Sequence, residues 1–301
     1  MHYDAIINRD SGSGLFRDPE QQNRLKRVFS DRGHHLNLEV VAPADLQKTL
    51  TRKMESPPHS LIIGGGDGTI TSAAKLLKHT PTALGVLPLG TFNLESRDLK
   101  IQLDPLKAAE QLIDAETVSI DVLQVNDECC LCAVIIGFYP ALAKSREDFH
   151  GKSWWKKSIR MVHELATVAV RCPVLSLEIS GNGETIRRRT RLAAFAPGQY
   201  VESMGIIPVR DNLSSGQLNA YVSEHLSRFQ MLSAAVGYLS GNLFDSEKIT
   251  HIESHEIVID VRRRASIPIM IDGEISRMKM PCRLKILPRA LNVLRPRNPA
   301  Q

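Results

Sequence analysis

No stretch of this chain is apolar for the ~20 residues that a helix needs to cross a bilayer. The most apolar window, CCLCAVIIGFYPALA (Cys129–Ala143), is shorter and is interrupted by Gly137 and Pro140. The opening MHYDAIINRD is too short and too polar for the apolar core of a signal peptide, so the expected compartment is the cytoplasm. Aromatic residues are scarce, at 5% of 301 residues. Zinc-finger spacings and the RRM signature are absent, and no nucleic-acid partner is expected. Cysteines number five, an odd count. Three crowd into CCLC, within one expected strand whose neighbours point to opposite faces, a poor arrangement for chelating one metal. Buried free thiols in a reducing compartment are the simpler reading.

What is present is ordinary globular composition, 43% hydrophobic and 24% charged, long enough for two domains. The net charge is +5, and the basic residues are clumped in GKSWWKK (Gly151–Lys157), RRRTR (Arg187–Arg191) and RRR (Arg262–Arg264). Such clumps suit anionic partners or a solvated face, and the residues leave both open.

Strand and helix alternate through the first 120 residues. YDAIIN, LNLEVV, SLIIGG and ALGVLPLG read as strands. Between them PEQQNRLKRVFSDRG, PADLQKTLTRKM and GTITSAAKLLKHT read as helices, the first with Leu25, Val28 and Phe29 on one face and Gly33 as its stop. This spacing implies an α/β domain with a parallel sheet covered on both faces. After about Val122 come shorter strand-like runs: LQVND, CCLCAVIIG, VLSLEISG, TRLAAFAPG, GQLNAYVS, EIVIDV, IPIMIDGEI and RLKILP. Helical stretches near Trp155–Val170 and Arg228–Ser240 interrupt them. A second, mostly antiparallel β domain is expected, meeting the first at a cleft.

Three small-residue loops follow strands of the first domain. In LIIGGGDGTI, glycines Gly64, Gly65, Gly66 and Gly68 let backbone approach an anion, and the start of the following helix favours negative charge. Thr69 adds a hydroxyl. Asp67 would repel a phosphate unless a cation such as Mg2+ intervened; it could instead accept a proton. A plain turn is the structural alternative. The dinucleotide fingerprint is not met, because Thr69 stands where glycine is required, and no lysine follows as a Walker loop demands. The other loops are INRDSGSG (Ile7–Gly14) and LPLGTFNLESRDL (Leu87–Leu99), where Thr91 and Asn93 could bind phosphate or cap a helix. Three loops along one sheet edge favour a nucleotide site.

GGGDGTI with LPLGTFN, after NRDSGSG and before a late IDGEI, resembles the diacylglycerol kinase catalytic family, and more narrowly its bacterial lipid kinases related to the sphingosine kinases. The resemblance extends through GFYPALAKSRE and the closing LKILPRALNVLRP. It implies an N-terminal ATP-binding α/β domain, residues 1–122 joined by 286–301, and a β-sandwich lipid domain, residues 123–285. Carried over, Asn8, Ser11, Gly12, Gly64 to Gly68, Thr69, Thr91 and Asn93 would contact ATP, while Asp67 and Asp121 would serve Mg2+. Asp272 and Glu274 would be the catalytic acids, either one the base, with Asp67 a less favoured base. By residue pattern alone, IDGE also fits an ordinary β-turn.

The chain departs from the family pattern at Arg9 (usually proline), Phe92 (often glycine) and Leu94 (often acidic). SSGQLN (Ser214–Asn219) replaces an acidic stretch that binds an accessory Mg2+ in some members. The function expected is transfer of the ATP γ-phosphoryl group to a lipid hydroxyl, with peripheral contact at an anionic inner-membrane surface. GKSWWKK reads as an interfacial anchor or as the start of a packed helix. The rival functions are a kinase of a soluble substrate in the NAD kinase manner, and a regulatory protein that binds ATP without turnover.

Overall fold

The computed structural model describes residues 2–137, 173–201, 209–210, 212–223 and 249–297. The GKSWWKK stretch and the expected helices near Trp155–Val170 and Arg228–Ser240 lie outside them.

The apolar runs of the first domain form β1 (His2–Asn8), β2 (His35–Val41), β3 (Ser60–Gly65) and β4 (Ala83–Pro88), parallel in the order β2-β1-β3-β4. β3 and β4 are buried at every position, as strands covered on both faces must be. The helices are α1 (Pro19–Ser30), α2 (Pro43–Lys53), α3 (Asp67–Leu77), α4 (Leu94–Asp98) and α5 (Pro105–Ile113). α1 and α5 start alike: Asp18 and Asp104 accept backbone N–H bonds at the cap, and proline follows at the first helical position. α1 packs on α5 and α2 on α3. The chain steps from β1 out to β2, then back past β1 to β3. Right-handed crossovers therefore put α1 and α2 on opposite faces and make a switch point between β1 and β3.

The remaining strands are β5 (Glu116–Val125), β6 (Glu128–Cys130), β7 (Val134–Gly137), β8 (Leu175–Gly181), β9 (Glu184–Thr190), β10 (Leu192–Pro197), β11 (Tyr200–Val201), β12 (Val209–Arg210), β13 (Leu218–Ser223), β14 (Ile249–Ser254), β15 (Glu256–Val261), β16 (Ser266–Ile271), β17 (Glu274–Lys279) and β18 (Cys282–Arg295). Six of them form an antiparallel sheet in the order β14-β13-β10-β7-β16-β17. Facing it, β18 joins β4 of the first domain's sheet in parallel, and β15, β8 and β9 extend it from there in antiparallel fashion. Phe195, Ile136 and Ile269 of one sheet share a core with Leu177, Ile259 and Leu284 of the other. The protein is thus a parallel α/β domain followed by an antiparallel β domain of two packed sheets.

β5 and β18 belong to both domains. Ile120, Val122, Leu291 and Val293 pack in the first core, whereas Leu123, Val125, Leu284 and Ile286 pack in the second. β18 pairs with β15 at its start and reaches β4 at Val293, so the C-terminal segment returns to the first sheet.

Two expected strands are corrected. CCLCAVIIG reads as one strand but breaks between β6 and β7, because the N–H groups of Leu131, Cys132 and Ala133 turn towards a carboxylate instead of a neighbouring strand. RLKILP does not stop at its proline. β18 runs on to Arg295, and a register shift between Leu287 and Leu291 accommodates Pro288, which lacks a donor.

Candidate active site

The site grows from the switch point. β1 ends at Asn8 and β3 at Gly65, side by side, and both lead into loops at their carboxyl ends. Asn8 Nδ2 donates to Thr69 Oγ1 at 3.1 Å, tying the end of β1 to the first turn of α3. A Cβ on Gly65 would lie 2.4 Å from Thr69 Cβ, and one on Gly90 would lie 2.8 Å from Gly66 Cα. The two glycine loops therefore pack backbone against backbone, and side chains are excluded from their contact. The N-cap of α3, Gly66, has no capping side chain, which leaves the helix start open to an anion.

Asp67 is half-buried at that helix start. Its Oδ1 accepts from Leu94 N at 2.6 Å and its Oδ2 from Asn93 N at 3.1 Å, so the first residues of α4 hold it. Burial pushes its pKa up; the two backbone bonds oppose the shift, and the nearby charge of Asp272 adds to it.

Asp272 and Gly273 both have positive φ, at 46° and 89°, forming the two-residue turn between β16 and β17. Asp-Gly is the favoured pair for such a hairpin. The turn and the site are the same object. The Asp272 carboxylate is 2% exposed and accepts five bonds. Oδ1 receives Cys132 N at 2.8 Å, Ala133 N at 3.1 Å and Cys130 Sγ at 3.2 Å; Oδ2 receives Leu131 N and Thr71 Oγ1, each at 2.8 Å. Thr71 lies one helical turn after Asp67 on α3, so this bond clamps the hairpin of the second domain to the glycine-loop helix of the first.

Glu274 differs. It is exposed, and its carboxylate lies against the backbone of Gly68: a Cβ there would come within 1.7 Å of Glu274 Oε1. Gly273 faces Phe92, whose Cδ2 would be 3.6 Å from an added Cβ. Asp67, Asp272 and Glu274, some two hundred residues apart in sequence, thus converge where the domains meet.

Beneath them lies a buried charge cluster with no sequence signal. Arg210, 1% exposed, donates to Asp98 Oδ2 from Nε at 3.0 Å and from Nη2 at 2.6 Å, to Asp98 Oδ1 from its backbone N at 2.9 Å, and to Pro197 O from Nη1 at 2.6 Å. Its Nη2 is also 3.8 Å from Cys132 Sγ and 3.8 Å from Glu95 Oε2. Glu95, Asp98 and Cys132 form a compact group of metal-ligand types, but Arg210 already supplies the cation. Burial pushes the Glu95 pKa up to about 8; Arg210 opposes this, while Asp98 and Asp272 reinforce it. Oε1 of Glu95 is buried without a hydrogen-bond partner, in keeping with a protonated carboxyl. Arg210 joins β12 of the second domain to α4, the helix that holds Asp67.

Other expected site residues fall as follows. Ser11 N donates to Asn8 O, and Gly12, at φ 60°, packs on Leu89; both stay in the loop after β1. Gly64 packs against Ile7 and Leu89. Thr91 is exposed beside the cleft. Asn93 does not cap α4 with its side chain: Oδ1 accepts from Gly90 N and Nδ2 donates to Gly90 O, closing its own loop at φ 50°. Among the described residues, Asp121 is not hydrogen-bonded to Asp67, Asp272 or Glu274. Its oxygens accept from Gly216 N at 2.5 Å and Arg289 N at 2.8 Å, bracing the SSGQLN loop against β18. The cysteines of CCLC are free and buried.

Two family models match the chain. Residues 2–125 match the diacylglycerol kinase catalytic domain, and residues 150–295 match the YegS C-terminal NAD kinase beta sandwich-like domain. A Staphylococcus epidermidis protein named "Putative lipid kinase" is 26% identical over 239 residues, covering 78% of this chain and 76% of that protein. Two solved structures from Bacillus anthracis share the fold. One, titled a putative diacylglycerol kinase, has a TM-score of 0.74 at 20% identity, covering 98% of this chain and 95% of its own. The other, titled a diacylglycerol kinase, has a TM-score of 0.71 at 22% identity, covering 98% and 97%. The class is that of two-domain kinases with a β-rich second domain. Residues 2–125 thus carry a diacylglycerol kinase catalytic domain, and residues 150–295 a YegS-like C-terminal domain.

Proposed function

We propose that the protein transfers the γ-phosphoryl group of ATP, with Mg2+, to the hydroxyl of a lipid such as diacylglycerol. The observation that carries this reading is the seating of Glu274 on Gly68, an acceptor for a hydroxyl proton placed at the mouth of a glycine-lined helix start. The residues fit the nucleotide and its metal. The open N-terminus of α3 suits a phosphate chain, and Asp67 keeps lone pairs free for a cation beyond its two backbone bonds. Mg2+, when bound, supplies charge neutralisation on the phosphates.

The chain's own groups divide the remaining work. Gly64 to Gly68 and Thr69 cradle the phosphates, and Asn8 fixes Thr69. Glu274 takes the proton as the lipid oxygen bonds to the γ-phosphorus, the bond to the bridging oxygen breaks, and ADP leaves with the electron pair. Asp272, whose lone pairs are filled, positions the hairpin and does not itself meet the hydroxyl. Between the two acids that the sequence leaves equal, the surroundings favour Glu274 as base.

The test is radiolabelled ATP with a panel of lipids and NAD, using Glu274→Gln as control. Labelled lipid that disappears in the variant supports the proposal. Labelled NADP, or tight ATP binding with no label on any acceptor, would transfer the reading to the soluble-substrate kinase or to the regulatory protein.

A further inference from the structure

Three basic groups that lie far apart in sequence meet at one end of the second domain. Arg188 and Arg189 are exposed at the end of β9, an edge strand. Ser176 of β8 pairs with Arg189 on one side and accepts from Arg262 N at 3.1 Å on the other. Arg262 to Arg264 form the exposed turn between β15 and β16. Ser266, just past that turn, pairs with Lys279 of β17, and Arg277 Nη2 donates to Ser266 Oγ at 3.2 Å. These seven side chains are seven positive charges in a chain whose net charge is +5, so the rest of the molecule is net negative. No Asp or Glu occurs at 175–177, 188–190, 261–268 or 276–279. Among the described residues none of the seven forms an ion pair, whereas neighbouring Arg187 is paired with Glu178.

We infer that this basic end is the surface that seats the protein on an anionic bilayer, an inference that rests on the lipid-kinase reading. Concentrated, unpaired arginine is costly self-repulsion unless an anionic partner compensates it. A lipid surface fits better than nucleic acid, since no aromatic ring lies at 175–177, 188–190 or 261–279 to stack on a base. The surface also connects to the chemistry. β17 is the edge strand of its sheet and runs from Glu274 to Lys279, about 17 Å at ~3.4 Å per residue. Along it Ile275 is one of three exposed large hydrophobics among the described residues. The strand carries, in order, the proposed base, an exposed apolar side chain, and Arg277 and Lys279.

The test is flotation of the full chain, without nucleotide, on vesicles of equal phosphatidylglycerol and phosphatidylcholine, and on phosphatidylcholine alone. The variant is Arg188→Glu/Arg189→Glu/Arg262→Glu/Arg263→Glu, with Arg262→Gln/Arg263→Gln as a milder form. Wild type is expected on the anionic vesicles alone, with partitioning at least ~100-fold weaker in the fourfold variant at about 0.1 M salt. Unchanged Tm and ATP affinity establish that the variants fold. Equal binding by wild type and variant, no binding to anionic vesicles, or tighter binding to duplex DNA than to vesicles at the same salt would overturn the inference. Vesicle binding without lipid phosphorylation removes the kinase reading alone. Phosphorylation of lipid in detergent micelles without vesicle binding removes the surface alone.

Discussion

Glu274 and Asp272 are separated by one glycine, yet their surroundings could hardly differ more. Asp272 is closed off from solvent and accepts five donors, from α3, from Cys130 at the end of β6 and from the Leu131–Ala133 bend. Glu274 is exposed and rests on the backbone of the glycine loop. Two acids in a DGE triplet can thus split the labour: one holds the domains together and the other stays free to accept a proton. The split arises because Asp272 lies within the turn, where backbone N–H groups of Leu131 to Ala133 reach it, whereas Glu274 begins the edge strand β17.

The largest effect expected from breaking this comparison is at Glu274. Glu274→Gln should lower kcat by ~10²–10⁴-fold, the range for losing a general base, with ATP affinity and Tm unchanged. Asp272→Asn should instead lower Tm, because an amide presents N–H groups to donors and costs ~1–3 kcal/mol. Equal Tm losses in the two variants would erase the distinction. Steady-state kinetics beside thermal melts decide it.

The buried pair beneath the site comes next. Arg210→Met strands Asp98 in the core and should cost ~3–5 kcal/mol in urea unfolding. Arg210→Met with Asp98→Leu should recover most of that stability, since a buried pair is often replaceable by apolar side chains. If α4 owes its position to Arg210, the recovered protein still shows a lower kcat, because Leu94 N no longer fixes Asp67.

Glu95 gives a pH test. Its carboxyl titrates at about 8 in the fold, raised by burial from 4.5. Between those values the native state holds a proton that the unfolded chain has lost, so stability falls as pH rises through this window. Glu95→Gln cannot titrate. The Tm of wild type relative to the variant should therefore decline between pH 5 and 8, and a flat difference would mean that Glu95 is not protonated. The smallest effect is expected at Gly68. Gly68→Ala must push the Glu274 carboxylate aside, which a long side chain can do, so a roughly tenfold loss in kcat with an intact fold is anticipated.

Much of the first domain was legible. β1 to β4 and α1 to α3 follow local signals: apolar runs, prolines at helix starts, and Gly33 at the end of α1 with φ 72°. The glycine loops were legible too, because close backbone packing leaves glycine as the residue that fits. The break in CCLC was not. Cys130 to Ala133 have strand-like composition, and what bends them is a carboxylate 140 residues downstream of Cys132. Arg210 was equally silent, since nothing local marks an arginine whose partner Asp98 lies 112 residues away. Asn93 and Asp121 show the converse. Their residue types suit phosphate and metal, but contacts with Gly90, Gly216 and Arg289 were available only in the fold.

The sequence by itself determined the order of strands and helices, the glycine loops with Asp67 at a helix start, and the presence of a late DGE, because each depends on neighbours within a few residues. Tertiary structure decided which acid is free, which arginine is buried, and that three scattered basic groups share one end of a domain. Burial, lone-pair occupancy and summed charge are properties of space, and distance along the chain does not encode them.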